Sequence, residues 1–483
     1  MCGFVAYLAF QTSDAPSERW IRSLLHTLAH RGPDDDGIQI RDGVALGFRR
    51  LSILDLTAAG HQPMTVDDGA IALVFNGEIY NYVELRRELQ SFGHTFRSSG
   101  DAEVLLRAYH QWGRKCLQHL VGMFSFCIAD HRANTLFLAR DRFGIKPLYF
   151  ARNERGILFA SEIKAIRRSG MWSGEINSGR FAQFLAYGRT EFVPDDSDTY
   201  LHGVHQLLAG QSCVVRFDGR MTFEQYWSTA FDPTDSDENP VPAFREAFDT
   251  SVRQHMRADV PVGVMLSGGM DSVSIACTME RAGGQPSGAA LHAFSYVSPD
   301  ADESVQLRDT LHCTGATSHL LNELDAHTFW STLHQLVWYN DEPVHSPSAL
   351  MGFELYRLAA KSGVRVVLSG QGADESLGGY QQLFDNMLVT TALRGELPTL
   401  SRQIGYVAAT TGRTRASTSK RLAKMLRSHA FSHLEWYRNQ SAIRQFGATP
   451  GPAYLDENFM STALPVVESV VGQRLSDALQ RAM

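Results

Sequence analysis

The sequence predicts two successive domains: short antiparallel strands joined by tight turns with helices between them, then a doubly wound α/β fold on a parallel sheet. Three observations carry this expectation. Pro261-Val-Gly-Val-Met-Leu-Ser-Gly-Gly-Met-Asp-Ser272 reads as a buried strand, a glycine turn and a helix start, because Val262 to Leu266 are apolar without alternation, as in a central parallel strand. Strand-then-helix order recurs after it, through Ala290–Val297, Phe329–Val337, Ala349–Lys361 and Val364–Leu368. Between the two domains, Phe231-Asp-Pro-Thr-Asp-Ser-Asp-Glu-Asn-Pro-Val-Pro242 is acidic and proline-rich, which makes it the linker. Domains of residues 1–230 and 243–483 follow, with a helix from near Ala243 leading into the second.

Composition narrows the function classes. The 483 residues exceed one ordinary core, and a hydrophobic share of 44% with 20% charged residues is that of a globular enzyme. A net charge of −7 gives no support to nucleic-acid or anionic-membrane partners. Basic residues between Arg413 and Arg427 lack interleaved aromatics and read as a solvated helix face. The six cysteines, at 2, 116, 127, 213, 277 and 313, show neither metal-site nor disulfide spacing, so a reducing cytosol fits. No apolar run approaches membrane-spanning length, and the N-terminus has no signal-peptide pattern.

In the first domain, Met1–Phe10 reads as a strand with a cysteine after the initiator methionine. Loss of Met1 would leave the Cys2 thiol beside a free α-amino group, whose pKa lies at about 8, so that one residue would hold nucleophile and base. Downstream stand Arg31-Gly-Pro-Asp34, Arg50-Leu-Ser-Ile-Leu-Asp55, Phe75-Asn-Gly-Glu-Ile-Tyr-Asn81, Ser99-Gly-Asp-Ala-Glu103 and Arg140-Asp-Arg-Phe-Gly-Ile-Lys-Pro-Leu-Tyr149. Each has a bland reading alone: Asn76-Gly77 a hairpin turn, Arg50 a surface cation, Asp101 a helix N-cap. Together they resemble the glutaminase domain of class II glutamine amidotransferases. The resemblance implies helices packed on a two-sheet antiparallel sandwich, of the N-terminal-nucleophile type. It implies Cys2 as nucleophile, with the Asn76 side chain and the Gly77 amide holding the oxyanion. Glutamine would lie along Arg50, Leu51, Ser52 and Ile53. Arg50 would take its α-carboxylate, and Asp101 with Glu78 its α-ammonium. Helices are expected over Tyr82–Phe92 and Ala102–Trp112, with Asp101 as both cap and clamp. Antiparallel strands are expected over Phe124–Asp130, Thr135–Asp141, Leu148–Arg152 and Ile157–Glu162.

In the second domain, Gly268-Gly269 let backbone amides face an anion at the positive end of the helix opened by Asp271 and Ser272. No lysine follows the glycines, so this is not the loop of phosphate-transferring nucleotide enzymes. Ser267-Gly-Gly-Met-Asp-Ser272 is similar to the pyrophosphate loop of the ATP pyrophosphatases. Ser369-Gly-Gln-Gly-Ala-Asp-Glu-Ser-Leu-Gly-Gly-Tyr380 adds a second signature, and the whole chain then resembles glutamine-hydrolysing asparagine synthetases. ATP and Mg²⁺ are implied. Leu266, Ser267, Gly268, Gly269, Asp271, Ser272, Tyr296, Ser369 and Gly370 would bind ATP, and Asp271 and Asp374 the metal. Gln371 and Glu375 are candidates for the acceptor site.

Two departures from the family stand out. Gln371 replaces its usual glutamate and can neither act as a base nor carry charge. The chain stops within an amphipathic run, Val466–Met483, without the family's later arginine-and-aspartate motif or its lysine, and a longer native protein is expected. The implied activity is release of ammonia from glutamine and amidation of a carboxylate, aspartate by default, in the cytoplasm, with a homodimer as the assembly to test. Amidation of another metabolite, polysaccharide or peptide carboxylate stays open, as does a non-catalytic glutamine- or nucleotide-binding relative.

Overall fold

A computed structural model of the chain describes residues 1–187, 196–229, 239–283, 290–297, 304–321, 324–344 and 346–431. Contacts divide it into two units, Met1–Leu368 and Ser369–Met483.

The first unit opens with two six-stranded antiparallel sheets. One holds β1 (Gly3–Ala9), β2 (Asp35–Arg41), β3 (Val44–Arg50), β8 (Tyr149–Arg152), β9 (Gly156–Ala160) and β10 (Val204–Gln206), in the order β10-β8-β9-β1-β3-β2. The other holds β4 (Met64–Val66), β5 (Ile71–Ile79), β6 (Gly122–Asp130), β7 (Thr135–Arg140), β11 (Gln211–Arg216) and β12 (Met221–Gln225), in the order β12-β11-β7-β6-β5-β4. All seven residues of β1 are buried, because each of its faces meets a different core. Phe4, Ala6 and Leu8 pack between the sheets with Ala72, Val74 and Leu138. Val5 and Tyr7 face the helices Glu18–Thr27 and Ile163–Ser169. On the far side, Leu73 and Phe75 of β5 meet Leu85 and Leu105 from the helices Tyr82–Ser91 and Asp101–Trp112. The result is a helix–sheet–sheet–helix sandwich, with strand periodicity dividing each strand between two cores.

Residues 230–238, most of the expected linker, lie outside the described residues. The helix that follows runs over Pro240–His255, three residues earlier than its apolar spacing suggested, because Pro240 and Pro242 are tolerated in a first turn whose amides need no helical partner. It leads into a four-stranded parallel sheet of β13 (Val262–Met265), β14 (His292–Tyr296), β15 (Thr317–Leu321) and β16 (Val366–Leu368), in the order β15-β14-β13-β16. Sequence order reverses at β13, so the switch point of this doubly wound sheet lies at the strand that carries the glycine turn.

The second unit, over its described residues, is helical: Ala373–Leu377, Gln381–Leu393, Leu397–Thr410 and Arg415–Phe431, around Leu388, Val407 and Leu422. The basic helix is not wholly solvated. Arg421 forms a two-pronged pair with the buried Asp385, and Arg415 donates to the Ser401 carbonyl at 2.8 Å. The run Val466–Met483 lies outside the described residues. Among the described residues no helix is long and apolar enough to cross a membrane.

Candidate active site

Cys2 precedes β1 at the edge of the inter-sheet core. Its Sγ accepts a hydrogen bond from the Leu51 amide at 3.3 Å and lies 3.6 Å from the Leu51 carbonyl oxygen, a long contact for a thiol donor. Burial pushes the thiol pKa up, while the N-terminal ammonium and the Leu51 backbone pull it the other way. The Cys2 carbonyl accepts from Arg31 Nε at 2.8 Å, and Arg31 is paired in turn with Glu162 at 2.7 Å. Burial, with help from Arg31 and Lys146, lowers the Met1 amine to about 5, although the Met1 residue as a whole is half exposed. With Met1 in place the Cys2 nitrogen is a peptide amide and cannot take a proton from the thiol.

Asn76, Gly77 and Glu78 close β5, paired with Ser125, Phe124 and Met123 of β6, so the Asn-Gly pair is not a hairpin turn. Position 77 needs glycine for space: a Cβ there would sit 2.3 Å from the Met123 carbonyl oxygen and 2.7 Å from the Phe124 Cα. Asn76 is 1% exposed; its amide nitrogen donates to Ser125 Oγ at 3.4 Å, and its Oδ1 has no partner among the described residues. A buried amide left half-satisfied is suited to a ligand.

Asp101 does not occupy the cap position. Gly100 does, and Asp101 opens the helix, its Oδ2 accepting the Ile79 amide at 2.8 Å. The carboxylate is thereby tied to the end of β5, beside Glu78. Burial and then the charge of Asp101 raise the Glu78 pKa, and burial raises that of Asp101 against the pull of its backbone donors. Two carboxylates sharing a desolvated site favour a cation between them. Arg50 is also buried, and its guanidinium is held by the carbonyls of Leu54, Asp55 and Thr57, the last at 2.8 Å. It is no loose surface cation.

Lys146 joins this site, although composition and motif reading did not single it out. It is 5% exposed, and its Nζ approaches Met1 Sδ at 3.2 Å. Burial and then Arg31 lower its pKa to about 8, while Glu78 and Cys2 act in the opposite direction. The loop presenting it is wound around Asp141, which is fully buried and accepts the amides of Phe124, Phe143, Ile145 and Lys146. Arg140-Asp141 in the sequence signalled this loop, but not the inward lysine.

At the second site, Leu266 is buried at the end of β13, and Ser272 closes the glycine turn. Its hydroxyl lies 3.1 Å from the Ser267 amide and 3.0 Å from the Ser267 carbonyl, while Gly269 donates to Ser267 Oγ at 3.1 Å. The helix Met270–Arg281 starts at Gly269 without a side-chain cap, so its first amides remain available to an anion. Asp271 lies in that first turn. Tyr296 ends β14, and beside it Ser295, 1% exposed, has a hydroxyl with no partner among the described residues. In the second unit, the Gly370 carbonyl accepts the Ala373 amide at 3.2 Å, Ser369 and Gln371 are exposed, and Glu375 accepts from the Tyr380 hydroxyl at 3.0 Å. Gly372, at φ +95°, caps the short helix bearing Asp374. Gly379 is tied to that carboxylate, since a Cβ there would overlap Asp374 Oδ1.

Comparison with known proteins agrees with this arrangement. Residues 1–227 match the glutamine amidotransferase domain family and residues 243–466 the asparagine synthase family. The chain is 37% identical over 389 residues to asparagine synthetase (glutamine-hydrolyzing) 1 of Bacillus subtilis, covering 79% of this chain and 59% of that protein. It is 32% identical over 403 residues to "Putative asparagine synthetase (glutamine-hydrolyzing) 2" of Methanocaldococcus jannaschii, covering 79% of this chain and 76% of that one. The chain thus spans about three fifths of the B. subtilis protein and three quarters of the archaeal one. With both domain types present in this order, the chain belongs to the glutamine-hydrolysing asparagine synthetase family.

Proposed function

We propose that the chain is a two-site amidotransferase that takes ammonia from glutamine and joins it to a carboxylate, aspartate by default, at the expense of ATP. The observation that carries this reading is the buried Cys2 thiol held at the Leu51 amide, in the electrostatic reach of Glu78, which lies on the strand that also carries the half-satisfied Asn76. Once Met1 is removed, the Cys2 amine takes the thiol proton and the thiolate attacks the amide carbon of glutamine. Asn76 and the Gly77 amide hold the oxyanion; the C–N bond then breaks, ammonia leaves with the transferred proton, and water cleaves the thioester to give glutamate. Arg50, with Leu51, Ser52 and Ile53 alongside, holds the α-carboxylate end of glutamine, and Asp101 with Glu78 the α-ammonium.

At the second site, ATP binds the Leu266–Ser272 turn, with Tyr296 at the adenine and Ser369 and Gly370 as further nucleotide contacts. The carboxylate attacks the α-phosphorus, pyrophosphate leaves, and ammonia displaces AMP from the acyl-adenylate to give the amide. Asp271, in the first turn of the helix Met270–Arg281, and Asp374, in the first turn of its own helix, are the carboxylates proposed for Mg²⁺. Each is a candidate ligand, and the ion would offset pyrophosphate charge. Glu375 and Gln371 are candidates for contact with the acceptor. A neutral side chain at Gln371 is the one observation favouring a carboxylate other than aspartate. A cytoplasmic enzyme, working as a homodimer without nucleic-acid partners, completes the proposal.

Two assays on the full chain test it: glutamate release from glutamine, and pyrophosphate release from ATP and Mg²⁺ with aspartate and ammonium. Cys2→Ala is expected to abolish the first and spare the second. Loss of both in that variant would sink the assignment of the halves. Glutamate release without pyrophosphate release would redirect the search to other carboxylates.

A further inference from the structure

The segment that lines the candidate glutamine site, Leu51 to Asp55, is held by residues that follow the linker. Ser52 donates its amide to Asp34 Oδ2 at 2.8 Å, and its carbonyl accepts from Arg365 at 3.3 Å. Arg365 also clamps Asp34 with both terminal nitrogens, at 2.5 and 3.2 Å. Next along, the Ile53 carbonyl accepts the Asp259 amide at 2.9 Å, and the Asp55 amide donates to Asp259 Oδ2 at 2.8 Å. The Ile53 side chain packs against the core that contains Val262, Val264 and Leu266 of the nucleotide-type sheet. Leu51, one residue before Ser52, is the backbone partner of the Cys2 sulfur.

We propose that Arg365 is a positioning residue for the glutamine site, holding Leu51 and its neighbours in register with Cys2 from the parallel sheet; this rests on the glutaminase reading above. Arg365 immediately precedes β16, which is hydrogen-bonded along β13. Its guanidinium therefore has a rigid base. Three contacts from one side chain, two to a carboxylate and one to a carbonyl, need a planar fork; lysine supplies the charge without that geometry. The side chains of Arg365 and Asp34 are 41% and 23% exposed, so the ion pair adds little to stability. What it supplies is placement: both backbone groups of Ser52 end on this pair. A shift of about 1 Å in a substrate-lining segment can cost roughly a hundredfold in rate.

The test is steady-state glutamine hydrolysis by the full chain and its Arg365→Ala, Arg365→Lys, Asp34→Asn and doubly substituted forms, with thermal melting and ammonium-dependent pyrophosphate release alongside. Arg365→Ala is expected to raise the glutamine KM and lower kcat/KM by roughly tenfold to a hundredfold. Melting temperature and ammonium-dependent release should stay at wild-type values, with Arg365→Lys in between. Asp34→Asn should match Arg365→Ala, and the double variant should be no worse than either single one, since both break one clamp. Wild-type glutamine kinetics in Arg365→Ala would overturn the inference and leave the glutaminase reading standing. Equal losses in both activities, with a lowered melting temperature, would also overturn it by exposing a merely structural role. A wild-type chain that releases no glutamate overturns the reading and the inference together.

Discussion

Glu78 and Asp101 show what a pair of buried carboxylates costs the fold that carries it. Burial raises both carboxylates above the ordinary range, Asp101 to about 6, and the charge of Asp101 adds to the rise at Glu78. A carboxylate raised above its unfolded value, about 4.3 for glutamate, binds more protons in the native state across the interval between the two values. Stability therefore falls as pH rises through that interval, and burial of Glu78 is a net cost at neutral pH. Glu78→Gln is expected to raise the melting temperature at pH 7 while raising the glutamine KM about tenfold, by removing one of the two carboxyl groups proposed to face the ammonium. Differential scanning calorimetry and glutamine kinetics check both halves; a lowered melting temperature would show that the charge is compensated. In the unmodified protein, KM should climb as pH drops through about 6, because Asp101 protonates there. Residue type and motif order in the sequence put Cys2, Asn76 and Asp101 forward as candidates, and the structure buries Asn76 and Asp101. The inward turn of Lys146 was not legible in the sequence, because it depends on how Asp141 gathers three amides from its loop and that of Phe124 from β6.

At the scale of elements, periodicity reported what lies along one strand or helix. The helices Tyr82–Ser91 and Asp101–Trp112 and the strands β6, β7 and β13 fall where their apolar spacing put them. The expected strand Ile157–Glu162 ends instead at Ala160. Ser161 there turns its hydroxyl to accept the Phe4 amide at 3.0 Å, and a helix follows at Ile163, a change that depends on a residue 157 positions away. The short strands β4 and β10, of three residues each, carry too few side chains to show any period. Gly77 makes the dependence on distant partners testable. The close approach of β6 leaves no room for a methyl group at 2.3 Å from the Met123 oxygen, so Gly77→Ala must push the central strands β5 and β6 apart. Overpacking of this kind costs about 1–3 kcal/mol or more. The variant is expected to melt several degrees lower and to lose glutamine hydrolysis, because Asn76 moves with the strand. Ammonium-dependent pyrophosphate release below the melting range should persist, and its disappearance would mean that the strand also supports the second site.

At the scale of the molecule, the two motif sets announced two domains, yet nothing in either announced how the antiparallel sandwich is joined to the parallel sheet. Arg365 and Asp34 are 331 positions apart, and Lys164 and Asp341 are 177 apart. Such pairs leave no local pattern. Besides the Arg365 clamp, a second junction passes through Glu162, which pairs with Arg31, His30 and Lys164; Lys164 continues to Asp341 at 3.1 Å and stands over the Trp338 ring at 4.9 Å. Arg31 holds the Cys2 carbonyl, so one buried carboxylate braces Cys2 and meets the helix Ala326–Asn340 through Lys164. Burial alone would raise the Glu162 pKa, but the hydrogen bond with His30 and the charges of Arg31 and Lys164 bring it to about 2. The sign follows: a carboxylate depressed below its unfolded value contributes stability in full above about pH 4.3, and loses it as pH falls through about 2. Glu162→Gln leaves buried cations without their partner, an arrangement that costs about 3–5 kcal/mol. The deficit should be complete at pH 7 and shrink steadily below about pH 4, where the wild-type carboxylate itself becomes neutral. Denaturant melts of both proteins across that range decide the matter. Parallel curves, with a constant gap down to about pH 2, would mean that Glu162 acts by shape and hydrogen bonding rather than by charge; converging curves would identify it as the anion that keeps the junction closed.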